Sequence, residues 1–314
     1  MLTGLSLSTV ALLLVASVVL DLLLGETRRW HPLVGFGNLA NFIERRLNRG
    51  KLRLPRGSLA WALAVLPLTA LFVVLTDVAG LWLHAVLLYL CIGLRSLRDH
   101  TIPIYEALRS GDLAQARALT ARIVSRDTAN ASESDLAKAS AESLLENGND
   151  AVFGTLFWFI LLGGPGAVLF RLANTLDAMW GYRSARFNLF GRPAARIDDV
   201  MNYVPARLTA LSYVLLAGAG RARAWHCWRT QAPAWSSPNA GPVMASGAGA
   251  LGVALGGAAV YDGEVEQRPP LGAGPAACAG DIQRAWQLVL RTTLLWLGVV
   301  CLLAVLTMIG APHA

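Results

Sequence analysis

Charge is what this 314-residue chain has least of. Only 15% of its residues are charged, against roughly 25% in ordinary soluble domains. Hydrophobic residues make up 55% and the mean hydropathy is +0.49. Such a chain cannot hide its apolar side chains in one water-soluble globule, which excludes intrinsic disorder and coiled-coil rods. Cysteine is scarce too: Cys91, Cys227, Cys278 and Cys301 form no C-x-x-C, so neither a disulfide framework nor a structural zinc site is predicted. Cys91 and Cys301 lie in apolar runs and read as small hydrophobes. The histidines His31, His84, His100, His226 and His313 are scattered, without the paired spacing of a metal site. No G-x-x-x-x-G-K-[ST] occurs, so any use of ATP is not P-loop chemistry. The net charge of +7 comes without a basic stripe interleaved with aromatics, and nucleic acid is not a predicted partner. Internal repeats are missing.

What the chain does have is long apolar runs. Residues 5–24 are long enough to span the roughly 30 Å hydrocarbon core. No basic residue precedes them and no small-residue cleavage site follows, so they read as a retained transmembrane helix rather than a signal peptide. Residues 26–58 then hold Arg28, Arg29, Arg45, Arg46, Arg49, Lys51, Arg53 and Arg56 against Glu26 and Glu44. The positive-inside rule places that stretch in the cytoplasm. Runs 59–75 and 78–94, separated by Thr76 and Asp77, read as a transmembrane hairpin. Residues 95–150 alternate apolar and charged positions at helical spacing, with Ser132-x-x-Asp135 as a capping-box start. Runs 151–162 and 167–176 are short and interrupted by Gly163-Gly164-Pro165-Gly166. Together with 203–219 they read as broken or re-entrant elements, because exporting the arginines of 177–202 across the membrane is unfavourable. Run 288–309 spans comfortably.

The predicted fold is therefore all-α: a polytopic membrane helical bundle with re-entrant or broken helices and cytoplasmic amphipathic helices. It is one integral membrane domain over 1–314, with N-terminal spans in 1–94, a catalytic part in 95–287 and a last span in 288–314. Residues 236–280, rich in Gly, Ala and Pro, read as loop carrying a specific polar cluster. Within them Gly247-Ala248-Gly249-Ala250-Leu251-Gly252 matches G-x-G-x-x-G without the flanking strand that a dinucleotide site needs. Gly252-x-x-x-Gly256 reads instead as close helix packing.

Three polar clusters border apolar segments, where such groups are costly. The first is Arg126-Asp127-Thr128 with Glu142, Glu146, Asn147 and Asp150. The three acids are spaced i, i+4, i+8 and so share a helical face. The plainer reading of that face is a solvated acidic stripe softened by Lys138. The second is Asn174, Asp177, Tyr182 and Arg183, then Arg196, Asp198, Asp199, Asn202 and Arg207. Adjacent carboxylates with an amide suit Mg²⁺, and arginines suit phosphate. The plainer reading is an internal Asp–Arg network. The third is Ser236-Ser237-Pro238-Asn239-Ala240-Gly241-Pro242, by itself a turn.

In this order the clusters resemble the CobD/CbiB family, the adenosylcobinamide-phosphate synthases of cobalamin biosynthesis. The N-terminal Asp21-Leu22-Leu23-Leu24-Gly25-Glu26 and His31-Pro32 also resemble it, as do Leu255-Gly256-Gly257 and Tyr261. Thr27 departs from the family's usual proline. The resemblance implies an acid–amine ligase of a bacterial cytoplasmic membrane, with its active site facing the cytoplasm. Such an enzyme joins adenosylcobyric acid to (R)-1-amino-2-propanol or its O-phosphate, using ATP and Mg²⁺, in a lipid bilayer and alongside other cobalamin-pathway enzymes. It makes Glu142, Glu146 and Asp150 catalytic candidates and Asp198 and Asp199 metal ligands. The substrate-binding candidates are Arg126, Asp127, Asn147, Asn174, Asp177, Tyr182, Arg183, Asn202, Arg207, Ser237, Asn239 and His31. The competing reading is a membrane transporter of a polar solute, since transporters too use broken apolar segments with buried charge. A third is a non-catalytic membrane sensor.

Overall fold

The computed structural model describes residues 4–26, 31–182 and 184–310. Thr27, Arg28, Arg29, Arg183 and His313 lie outside them. In chain order the helices are α1 (Leu7–Leu24), α2 (Pro32–Leu47), α3 (Arg53–Ala79), α4 (Leu81–Cys91), α5 (Leu94–Arg109), α6 (Leu113–Thr120), α7 (Glu133–Gly148), α8 (Gly154–Trp180), α9 (Arg192–Leu216), α10 (Arg221–Gln231), α11 (Ala240–Leu251) and α12 (Ala279–Gly310). Strands β1 (Ala254–Tyr261) and β2 (Glu264–Gly272) come between the last two. Among the described residues five helical stretches are long and apolar enough to cross a membrane: Leu7–Leu24, Arg53–Ala79, Leu81–Arg109, Glu133–Trp180 and Ala279–Gly310. The helical membrane architecture expected from composition is therefore present. Most of run 203–219, up to Leu216, falls in α9, which is not among the five.

The described residues form two compact units, one of residues up to 93, 150–202 and from 297, the other of 94–149 and 203–296. In the first unit, α1 starts where the Ser6 side chain accepts from the Thr9 N–H, satisfying one of the orphan donors of a first turn. The Ser17 hydroxyl donates to the Ala85 carbonyl at 3.0 Å, tying α1 to α4. The break between α3 and α4 falls at Gly80 (φ 80°), not at Thr76-Asp77. Thr76 stays helical, its hydroxyl donating to the Phe72 carbonyl, whereas glycine takes a positive φ without penalty. Helix α8 is kinked at Gly163 (φ 65°, ψ −156°), as the Gly-Gly-Pro-Gly run predicts. The imidazole Nδ1 of His84 accepts the Gly164 N–H at 2.9 Å, so the kink leaves that donor satisfied.

In the second unit, α7 opens with the predicted capping box, Ser132 and Asp135 exchanging side-chain-to-backbone bonds. Its flank is not the solvated acidic stripe of the plainer reading. Glu142 is 2% exposed, among buried Leu136, Ala141 and Leu145. The period of α7 ends at a π-helical turn, Asn149–Phe153, which shifts the phase of Asp150 relative to Glu142 and Glu146.

Residues 254–272 depart from the expected loop. They form an antiparallel hairpin pairing Ala254 with Gly272 and Tyr261 with Glu264. Its two-residue turn, Asp262-Gly263, has positive φ at both positions, the arrangement whose twist matches the flanking strands. Gly256 therefore sits in a strand beside a bulge, so the expected Gly252–Gly256 helix contact does not form. Close helix packing is made instead by Gly249 of α11. A side chain there would meet the Ala224 backbone of α10 at 2.7 Å. The G-x-G-x-x-G run is the C-terminal part of α11, ended by Gly252 in the left-handed conformation.

Candidate functional site

The second unit builds a buried ion cluster around Glu142. Arg126 Nη2 lies 2.5 Å from Glu142 Oε2, and Arg268 Nη1 2.9 Å from the same oxygen. The Gly256 N–H donates to Oε1 at 2.7 Å. One carboxylate from α7 thus fastens the hairpin and the segment before α7 together. This matters because two strands alone are marginally stable. Asp127 adds a second fastening: its N–H donates to the Val260 carbonyl and its carboxylate accepts from the Gly263 N–H, at 2.8 and 2.7 Å.

Beside this cluster opens a cleft of about 690 Å³, bordered by Arg126, Asp127, Asn130, Lys138, Ala258 and Gly263. The Arg126 Nη1 is buried and has no hydrogen-bond partner. A guanidinium with one arm committed to Glu142 and the other unclaimed is suited to an anionic oxygen. Glu146 and Asn147 follow on the same helix, with Asn147 donating to the Ser143 carbonyl at 2.9 Å.

The third predicted cluster also lies in the second unit. Arg207 stacks 3.4 Å from the centre of the Tyr203 ring. It donates to the Asn239 side-chain oxygen at 2.9 Å and to the Pro238 carbonyl at 3.0 Å. The Ser237 hydroxyl accepts from the Asn239 and Ala240 N–H groups. Ser237 and Asn239 therefore shape the turn into α11, and Arg207 clamps it.

The first unit holds an acid–amide cluster on α8 and α9. Asp198 is 7% exposed. It accepts from the side-chain amides of Asn174 and Asn202 at 3.3 and 3.1 Å. Asp177 lies within electrostatic range of Asp198 and Asp199. Burial first, then repulsion by Asp150, pushes the Asp198 carboxyl up to about 7; Asn202 and Asn174 pull against the shift and Asp199 adds to it. Burial likewise raises Asp199, against the attraction of Arg196. Neighbouring Asp198 and Asp199 differ in burial because successive helix positions point about 100° apart. A layer of Phe170, Ala173 and Met201, flanked by Trp61, Trp158 and Ile197, packs α8 against α9.

Sequence reading passed over Arg171. It lies inside an apolar helix, one ridge from Asn174 and Asp177, within electrostatic range of Glu26 and Asp150. Its signal was available: an arginine three residues before Asn174, amid an otherwise apolar run, is a functional residue by default. Other predicted residues have plainer placements. His31 caps α2, its Nδ1 accepting the Leu33 N–H. Tyr182 is 60% exposed.

Among the described residues no group of three or more His, Cys, Asp or Glu forms a ready-made metal cage. The donor set fits Mg²⁺ in another form, through one or two carboxylates with water and phosphate completing the octahedron.

The family model described as CobD/Cbib protein matches residues 14–289. A cobalamin biosynthesis protein CobD of Stutzerimonas stutzeri is 56% identical over 294 residues, covering 92% of this chain and 96% of that protein. Its namesake in Chromobacterium violaceum is 52% identical, covering 97% and 99%. The one from Rhodobacter capsulatus is 38% identical, covering 90% and 93%. No solved structure is significantly similar. With its family model matched over most of its length and relatives of this identity matched nearly end to end, the chain belongs to the CobD/Cbib family and to cobalamin biosynthesis.

Proposed function

We propose that the chain is the ligase joining the propionate carboxylate of adenosylcobyric acid to (R)-1-amino-2-propanol or its O-phosphate. A carboxylate is a poor acyl donor at neutral pH. Transfer of the γ-phosphoryl group of ATP to the propionate gives an acyl phosphate and ADP. Attack by the neutral amine then forms the amide and releases phosphate and one proton. When bound, Mg²⁺ supplies neutralisation of phosphate charge.

The observation that carries this reading is the buried pairing of Asp198 with Asn174 and Asn202, with Asp150, Asp177 and Asp199 in electrostatic range. Several carboxyl groups held in low dielectric repel one another, and a cation relieves that repulsion. Asp198 and Asp199 are the residues assigned to Mg²⁺. Arg126, with an unclaimed guanidinium arm on the cleft, is assigned to a phosphate or carboxylate oxygen, and Lys138 lines the same cleft. Glu146 or Asp150 takes the amine proton. Glu142 is assigned to positioning, because two arginines and a backbone N–H already occupy its oxygens.

Complementation tests the reaction. A cobalamin producer lacking its synthase grows with cobinamide and not with cobyric acid. Rescue on cobyric acid by this chain supports the ligase; failure to rescue despite membrane expression overturns it. Uptake of a polar solute into vesicles without ATP-dependent condensation in the purified protein would point to the transporter instead.

A further inference from the structure

The first unit also carries a basic surface that the ligase reading does not use. Helix α2 buries Phe36, Ala40 and Glu44, one stripe at i, i+4, i+8. Glu44 is held by Arg186 through two bonds of 3.0 and 2.6 Å and by Asn48 at 2.7 Å. That acid is therefore consumed within the protein. Around it opens a hollow of about 590 Å³, bordered by Arg45, Arg49, Arg53 and Arg186. A second hollow of about 280 Å³ shares Arg45 and Arg49 and adds Phe42 and Arg46.

Two of these arginines, Arg49 and Arg53, are held in place by backbone oxygens rather than acids. Arg49 Nε donates to the Arg45 carbonyl at 2.8 Å, and Arg53 Nη1 to the Ala185 carbonyl at 3.3 Å. Among the described residues no carboxylate forms an ion pair with Arg45, Arg49 or Arg53. Glu44, within electrostatic range of Arg45 and already paired with Arg186, faces four arginines there, so positive charge is in excess. Directly beyond Arg53, α3 exposes Leu59, Leu63, Leu66 and Val74, each between 50% and 60% accessible. They share one face of a helix long enough to cross a membrane. From Arg53 to Leu66 the helix rises about 20 Å. On α2 itself, Val34 and Phe42 are also exposed.

We infer that this basic hollow is a binding site for the headgroup of an anionic phospholipid, whose acyl chains lie along the Leu59–Leu63–Leu66 face of α3. A phosphodiester satisfies the guanidinium groups, and the apolar track begins one to two turns away. Free inorganic phosphate would use the hollow but not the track. An amphipathic helix bearing arginines at its polar edge is the general form of an interfacial lipid contact.

The test uses the full-length protein in nanodiscs of phosphatidylglycerol and phosphatidylcholine, followed by detergent extraction and mass spectrometry of retained lipid. The wild type is expected to retain phosphatidylglycerol over phosphatidylcholine. R45Q/R49Q/R53Q is expected to lower that preference by at least about tenfold. R45Q alone, which removes a guanidinium with no bond to the protein, gives a smaller loss of the same sign and guards against misfolding of the triple variant. Equal retention of the two lipids by the wild type would overturn the inference, as would an unchanged preference in both variants. Displacement of the retained lipid by millimolar inorganic phosphate would overturn it in favour of a soluble-anion site.

Discussion

Glu142 shows how far a single residue can be read. Its spacing announces an acid on a helix face, and nothing in the spacing tells that two arginines 16 and 126 positions away converge on it. E142Q leaves those guanidinium groups buried without a counter-charge, which costs on the order of 3–5 kcal/mol. The thermal midpoint of purified protein should fall accordingly; a change within error would show that the cluster is not buried. E146Q is expected to abolish turnover with membrane insertion intact, and normal activity would remove Glu146 from the chemistry. The Glu44–Arg186 pair gives a pH dependence. Burial alone would raise the Glu44 carboxyl, but the bonds from Arg186 and Asn48 outweigh it and hold it below its ordinary value near 4.5. A lowered folded-state value makes the contribution fully present above the ordinary value and lost as pH falls through the lowered one. The midpoint gap between wild type and E44Q should therefore be constant above about pH 5 and narrow below it. A gap that widens on acidification would contradict the assignment. Arg171 was as visible in sequence as Asp198, and was missed because it stands alone rather than in a cluster.

Elements were legible where hydrophobic runs are long. Helices α1, α3 and α12 follow from their composition, and α7 starts where its capping box says. The hairpin was not legible, because its glycines, alanines and prolines carry no alternation. Its stability comes from Glu142, Asp127 and Gln231. The amide of Gln231 donates to the Gly272 carbonyl and its oxygen accepts the Gly272 N–H. The one local signal was Asp262-Gly263, a dipeptide suited to a two-residue turn. At the kink of α8, G163A forces a side chain into a backbone region that essentially only glycine adopts and should cost about 1–3 kcal/mol. G249V sets branched carbons against the Ala224 backbone and should cost about 1–3 kcal/mol. Thermal melts of both variants in one detergent check these values, and a neutral G249V would mean that α10 and α11 are not in close packing.

For the whole molecule, hydropathy was sufficient to reveal a helical membrane protein, and the ordered polar motifs were sufficient to reveal its family. The chemistry follows less directly, since paired acids in a sequence do not say whether a cation joins them. If Asp198 takes Mg²⁺ in the folded protein alone, the cation stabilises by mass action, about 2.7 kcal/mol at a hundredfold excess over Kd. Magnesium should then raise the melting midpoint of wild type at pH 7.5 and leave D198N unmoved. A wild-type midpoint indifferent to magnesium would place the metal elsewhere or require nucleotide for its binding.

Helix α3 carries a mechanical consequence. Its 27 residues extend about 40 Å, some 10 Å more than an average hydrocarbon core. A leaflet that thickens or thins can be met by leaning this rod or sliding its Arg53–Arg56 end further into the headgroups, at a fraction of a kcal/mol per Å. Acyl-chain length should therefore trouble this protein less than one whose spans fit the bilayer with nothing to spare.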